Sequence, residues 1–137
     1  MRGEAAPERS CYHDGMPVIA VIGASSDRNK YGNKALRAFR QQGYTVVPIN
    51  PHEAEIEGER AYASVLDYPG PIDEATIYLQ PDAGVAVMDD IARKQIPQVW
   101  LNPGADAPEV VARARQVGVN PIVACSILGV GESPRDY

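Results

Sequence analysis

The stretch Val18-Ile19-Ala20-Val21-Ile22-Gly23-Ala24-Ser25-Ser26 carries the strongest local signal in the chain. Its apolar run has no polar alternation and stops at a glycine, as a parallel strand buried on both faces does. Downstream, Tyr31 to Gln42 reads as a helix: Ala35, Leu36 and Phe39 share one face, and Lys34, Arg37 and Arg40 lie away from it. Gly43 follows, where helices commonly end on a left-handed residue. A second strand, Tyr44-Thr45-Val46-Val47-Pro48-Ile49, begins at once and stops at Asn50-Pro51. Strand, helix, strand in that order predicts a parallel pair joined by a right-handed crossover, with Val18–Gly23 central in the sheet.

The alternation continues to the C-terminus. Asp73 to Leu79 reads as a buried strand through Ala75, Ile77 and Leu79. Pro81 then suits the first turn of a helix, where a missing N–H costs nothing, and Val85, Met88, Ile91 and Ala92 follow at helical spacing. Gln98 to Leu101 is a further strand. Asp106-Ala107-Pro108-Glu109 resembles a capping box opening a helix that packs Val110, Val111, Ala114 and Val117 and ends at Gly118. Pro121 to Ala124 is the last strand. Alternation of this kind specifies an α/β, doubly wound, mostly parallel sheet. Between the second strand and Asp73 the pattern weakens. The acids Glu53, Glu55, Glu57 and Glu59 read as a solvated loop, and Arg60–Tyr62 as a short strand.

A chain of 137 residues fits one domain. Residues 1–16 are polar and aperiodic and read as an extension; 17–137 form the domain. The first sixteen residues contain no apolar core of a secretory signal, and no apolar run approaches the roughly 20 residues of a membrane span. A cytoplasmic protein is expected. Cys11 and Cys125 lack metal-ligand spacing and read as free thiols. The net charge of −5 argues against nucleic acid as a partner. Yet Arg28, Lys30, Lys34, Arg37 and Arg40 face only Asp27 in that segment, a local +4. This suits a small anion better than a polymer, although a solvated basic helix face explains Lys34, Arg37 and Arg40 as well.

Ligands of doubly wound sheets lie outside the carboxyl ends of the strands. Here those ends read Gly23-Ala24-Ser25-Ser26, Asn50-Pro51, Gln80-Pro81, Asn102-Pro103-Gly104 and Cys125-Ser126. Gly23 permits a tight turn, and the following helix offers unsatisfied N–H groups and a favourable dipole for phosphate, with Arg28 and Lys30 beside it. Tyr31 stands next to this loop. The dinucleotide glycine fingerprint is absent, since Ser25 and Arg28 occupy its other glycine positions. The second strand ends in Asn50, where a NAD site places an acid on the ribose diol. That substitution counts against NAD and leaves room for a ribose bearing a phosphate.

Together, Val21-Ile22-Gly23-Ala24-Ser25, Val47-Pro48-Ile49-Asn50-Pro51, Leu79-Gln80-Pro81 and Val99-Trp100-Leu101-Asn102-Pro103-Gly104-Ala105 resemble the stand-alone CoA-binding domain family. That family is related to the nucleotide domain of the succinyl-CoA synthetase alpha subunit. The resemblance implies a Rossmann-like sheet of five or six strands, with helices on both faces, that holds coenzyme A or an acyl-CoA. It further implies that Gly23, Ala24 and Ser25 cradle the pyrophosphate, that Asn50 and Pro51 border the adenosine, and that Gln80 and Pro81 flank the pantetheine. Where the family often has lysine after Asn-Pro, this chain has His52, so Arg28 or Lys30 is expected to share the 3′-phosphate contact. Cys125 matches a cysteine the family often carries near the last strand. A mixed disulfide with the CoA thiol and a buried small hydrophobe are its two readings.

A binding module, regulatory or carrier, is the leading expectation. Two alternatives stay open: an NADP-type nucleotide sensor, and an enzyme acting on an acyl-CoA with a partner subunit. Related ligases need a phosphorylatable histidine, and His13 and His52 lie outside the region that would carry it. No metal-ligand set or catalytic triad stands out. A protein partner or a homodimer is left open.

Overall fold

The computed structural model describes residues 16–137; the extension at 1–15, with Cys11 and His13, lies outside them. The elements, in chain order, are β1 (Val18–Ile22), α1 (Tyr31–Gln41), β2 (Thr45–Ile49), β3 (Glu55–Ile56), β4 (Glu59–Arg60) and a 3-10 turn at Val65–Asp67. There follow β5 (Glu74–Ile77), α2 (Pro81–Lys94), β6 (Gln98–Leu101), α3 (Pro108–Gln116), β7 (Pro121–Val123), α4 (Ser126–Gly129) and a 3-10 turn at Pro134–Asp136. Five strands make one sheet in the order β2-β1-β5-β6-β7, every pair parallel. The chain therefore adopts the α/β Rossmann-like architecture expected of it. β1 is interior, flanked on both sides, while the middle place belongs to β5.

Burial on both faces explains why β1 reads as an uninterrupted apolar run. Successive side chains of a strand point to opposite faces. Ala20 and Ile22 accordingly join Met88 and Ile91 of α2 and Val110 and Ala114 of α3. Ile19 and Val21 join Leu36, Ala38 and Phe39 of α1, together with Ile127 of α4. Pro81 takes the first position of α2, as its missing N–H allows.

Two local expectations are corrected. The capping box at Asp106–Glu109 does not form: α3 has Ala107 at its N-cap with no side-chain bond, and Asp106 Oδ1 accepts instead from the Gly104 N–H at 3.3 Å. Nor is 53–59 a solvated loop. β3 and β4 pair as an antiparallel hairpin that buries Ile56, turning through Glu57 and Gly58 at φ 55° and 80°. The strand expected at 60–62 reduces to β4 and a bridge from Tyr62 to Ile49, which covers the outer edge of β2. At the opposite edge β7 is three residues long, begins with Pro121, and exposes Ile122 and Val123. No helix among the described residues is long and apolar enough to cross a membrane.

Candidate functional site

From β1 the chain winds to β2 on one side, then to β5, β6 and β7 on the other, so the winding reverses between β1 and β5. The carboxyl ends of those two strands frame the crevice where such sheets bind ligands. A cleft of about 230 Å³ lies there, lined by Gly23, Lys30, Tyr31, Gly32, Tyr78, Leu79, Gln80 and the Pro103–Ala105 loop. A slightly larger hollow, about 280 Å³, sits by Ile96 and Val119 at the other end of the strands. It has no charged residue in its lining and faces the C-terminal ends of α2 and α3, which repel anions.

Two glycines set the shape of the first loop. Gly23 has φ 94°, and a Cβ there would collide with the Tyr78 carbonyl. Gly32 packs the first turn of α1 onto the loop, and a Cβ there would collide with the Gly23 carbonyl. Gly32 therefore does the close-packing work of the last glycine in a dinucleotide fingerprint, nine residues beyond Gly23. Sequence spacing conceals this because the loop is longer than the motif. Ser25 Oγ accepts from the Asp27 N–H, and Asp27 Oδ1 from the Asn29 N–H, each at 3.0 Å, folding the loop on itself. The N–H groups of Ala24, Ser25, Tyr31 and Gly32 have no partner among the described residues. Backbone donors at a glycine turn and a helix N-terminus are what a phosphate needs.

The cations divide differently from the simple count. Arg28 Nη1 donates to both carboxylate oxygens of Glu57 at 2.7 and 2.8 Å, and Arg40 reaches the Glu57 carbonyl and the Glu59 carboxylate. Arg37 bonds Asn33 Oδ1 and the Arg28 carbonyl; Lys34 reaches the Pro134 carbonyl and lies over the Tyr31 ring. The hydrogen bond from buried Asn33, reinforced by Arg28, holds the Glu57 carboxyl below its ordinary range. Lys30 alone of the five lines the cleft with no ion pair or hydrogen bond from its ammonium among the described residues. Arg28 thus fastens the hairpin to the first loop.

Asn50 is also committed: its Nδ2 donates to the Ala24 carbonyl at 2.9 Å and its Oδ1 accepts from the His52 N–H. It ties the end of β2 to the first loop. Pro51 and His52 are exposed beside it. Asn50 ends the strand as read, but Glu53 lies close by, its Oε2 3.2 Å from the Ser26 nitrogen and 3.4 Å from Asn50 Nδ2. Gln80 is exposed in the cleft, and Pro81 is half-buried behind it.

A buried polar chain that the sequence does not reveal backs the cleft. Asn102 donates from Nδ2 to Thr76 Oγ1 at 2.6 Å and to the Ile77 carbonyl at 3.0 Å, and its Oδ1 accepts from the Ser126 N–H at 2.8 Å. Ser126 Oγ bonds Thr76 Oγ1 at 2.7 Å and the Tyr78 hydroxyl at 3.2 Å. Burial pushes the Tyr78 phenol up to about 12, so it stays protonated at neutral pH. Cys125, half-buried, reaches the carboxyl edge as expected, at the N-cap of α4.

Residues 17–130 match the model of the CoA binding domain family. The alpha subunit of the ADP-forming acetate–CoA ligase II of Pyrococcus furiosus is 45% identical over 60 residues, covering 43% of this chain but 13% of that subunit. The uncharacterized protein YneT of Bacillus subtilis is 25% identical over 73% of this chain and 74% of its own length. Among solved structures, cell-free ID.343 from Thermus thermophilus superposes with a TM-score of 0.74 at 31% identity, covering 86% of this chain and 90% of that one. With the family model spanning nearly the whole described fold, the chain belongs to the CoA-binding domain family.

Proposed function

We propose that this chain holds coenzyme A or an acyl-CoA at the carboxyl edge of its sheet, as a binding module and not as a complete catalyst. The observation that carries this reading is the set of unpartnered N–H groups at Ala24, Ser25, Tyr31 and Gly32, with Lys30 alongside in the switch-point cleft. Gly23, Ala24 and Ser25 would take the pyrophosphate. Asn50 and Pro51 would shape the adenosine end, and Tyr31, Gln80 and Pro81 would flank the pantetheine leading toward Tyr78 and Cys125. The chain spans about an eighth of the ligase subunit it matches, so any ligase chemistry would need further domains or a partner subunit. Titration calorimetry with CoA, against wild type and Lys30→Ala, tests the reading. A one-to-one complex weakened about tenfold by the substitution, roughly the value of one charge-assisted phosphate contact, is expected. Absence of CoA binding by the wild-type protein would overturn it.

A further inference from the structure

We propose that Glu53 sets how this site treats a phosphate on the adenosine ribose, and that it disfavours one. The proposal rests on the coenzyme A reading above and adds a specificity-determining residue to it. In doubly wound sheets, a nucleotide whose phosphates lie on the first loop extends its ribose to the end of the second strand, where an acid accepts from the ribose hydroxyls. Glu53 occupies that place. Its carboxylate bridges the gap between the Ser26 N–H and Asn50 Nδ2, the two walls between which the ribose would pass.

Among the described residues, the arginines nearest this end of the sheet are engaged elsewhere. Arg28 is bound to Glu57, Arg40 to Glu57 and Glu59, and Arg60 lies over the Tyr62 ring. Lys30 lines the cleft with Gly23, Tyr31 and Tyr78, a lining that includes neither Ser26, Asn50 nor Glu53. A phosphate monoester carries about −1.5 to −2 at neutral pH. Beside a carboxylate in a solvated groove, that repulsion is worth on the order of tenfold in affinity at low salt, and less as salt screens it. Hydroxyls of an unphosphorylated ribose, by contrast, can donate to Glu53. The phosphate that distinguishes CoA from dephospho-CoA therefore contributes nothing favourable here, and binding comes from the pyrophosphate and pantetheine.

The test is calorimetry at pH 7.5 and low salt with CoA and dephospho-CoA, on wild type, Glu53→Gln and Glu53→Ala, after thermal melts confirm that the variants fold. Glutamine keeps an acceptor for the Ser26 N–H and removes only the charge. Wild type should bind dephospho-CoA at least as tightly as CoA, and both variants should shift the affinity ratio toward CoA by about tenfold. A wild type binding CoA tenfold more tightly than dephospho-CoA, or a ratio unchanged in both variants, would overturn the role of Glu53 while leaving coenzyme A as the ligand. If wild type binds neither ligand, the coenzyme A reading fails, and this proposal with it.

Discussion

Asn102 is the residue whose loss should be felt most widely. It is 1% exposed, and its amide joins β5, β6 and α4 through three hydrogen bonds. Asn102→Ala leaves the Ser126 N–H without its acceptor and the Ile77 carbonyl without the Asn102 donor, while Thr76 keeps Ser126 Oγ as a partner. A buried polar group left unpaired costs about 1–3 kcal/mol. Two such groups and the small void of the missing amide should together cost roughly 3–5 kcal/mol. For a domain of this size that is a large share of a total of about 5–15 kcal/mol, and it corresponds to a fall in Tm of roughly 10–20 °C. Urea unfolding followed by circular dichroism should show the midpoint falling with the slope unchanged. Thr76→Val, which removes a hydroxyl at nearly constant shape, should cost about 1–2 kcal/mol, and the double variant less than the sum, because the two share a bond. A loss below about 1 kcal/mol for Asn102→Ala, or strict additivity with Thr76→Val, would refute the account of the chain as a cooperative buried unit.

Gly32→Ala places a methyl against the Gly23 carbonyl; it should cost about 1–3 kcal/mol and abolish measurable CoA binding by moving α1 off the loop, both readable from melts and calorimetry. Glu57 has a lowered carboxyl, so its stabilisation is fully present above the ordinary carboxylate range and is lost as pH falls through the depressed value. Glu57→Gln should therefore flatten the acid limb of stability measured by denaturant titration from pH 7 to 3, and an unchanged acid limb would refute the Arg28–Glu57–Asn33 account. Treatment with CoA disulfide should modify Cys125, detected by peptide mass spectrometry and absent in Cys125→Ser; a thiol that stays unlabelled is core packing only.

Patterns imposed by burial are legible in the order of residues alone. The β1 run has no alternation because both faces are covered, and Leu36 and Phe39 stand at helical spacing because α1 is covered on one face only. Partners distant in sequence are not legible in this way. Nothing in Glu53-Ala54-Glu55-Ile56-Glu57 announces that Glu57 pairs with Arg28, 29 residues away, or that Ile56 is core. The hairpin turn is Glu57-Gly58, without the asparagine that usually marks such a turn. Asn102 reads as a strand end before proline, and its burial depends on α4, whose four residues are too few to show a period. The candidate site is legible as a glycine loop at a strand end. Which cations stay open to it is a matter of geometry.

The uncovered strand β7 bears on how the chain avoids its own kind. A sheet margin with exposed backbone is a template for adding foreign strands, and natural proteins blunt such margins by brevity, proline or charge. At β2 the danger is met by Tyr62 and the hairpin; at β7 brevity and an opening proline are the visible defences, with Ile122 and Val123 bare to water. The proline removes one donor from the rim, and three residues offer too few hydrogen bonds to hold an intruder. Lengthening this strand, or replacing Pro121 with valine, would turn a quiet margin into an adhesive one and bring on fibril-like self-association without loosening a single contact in the core.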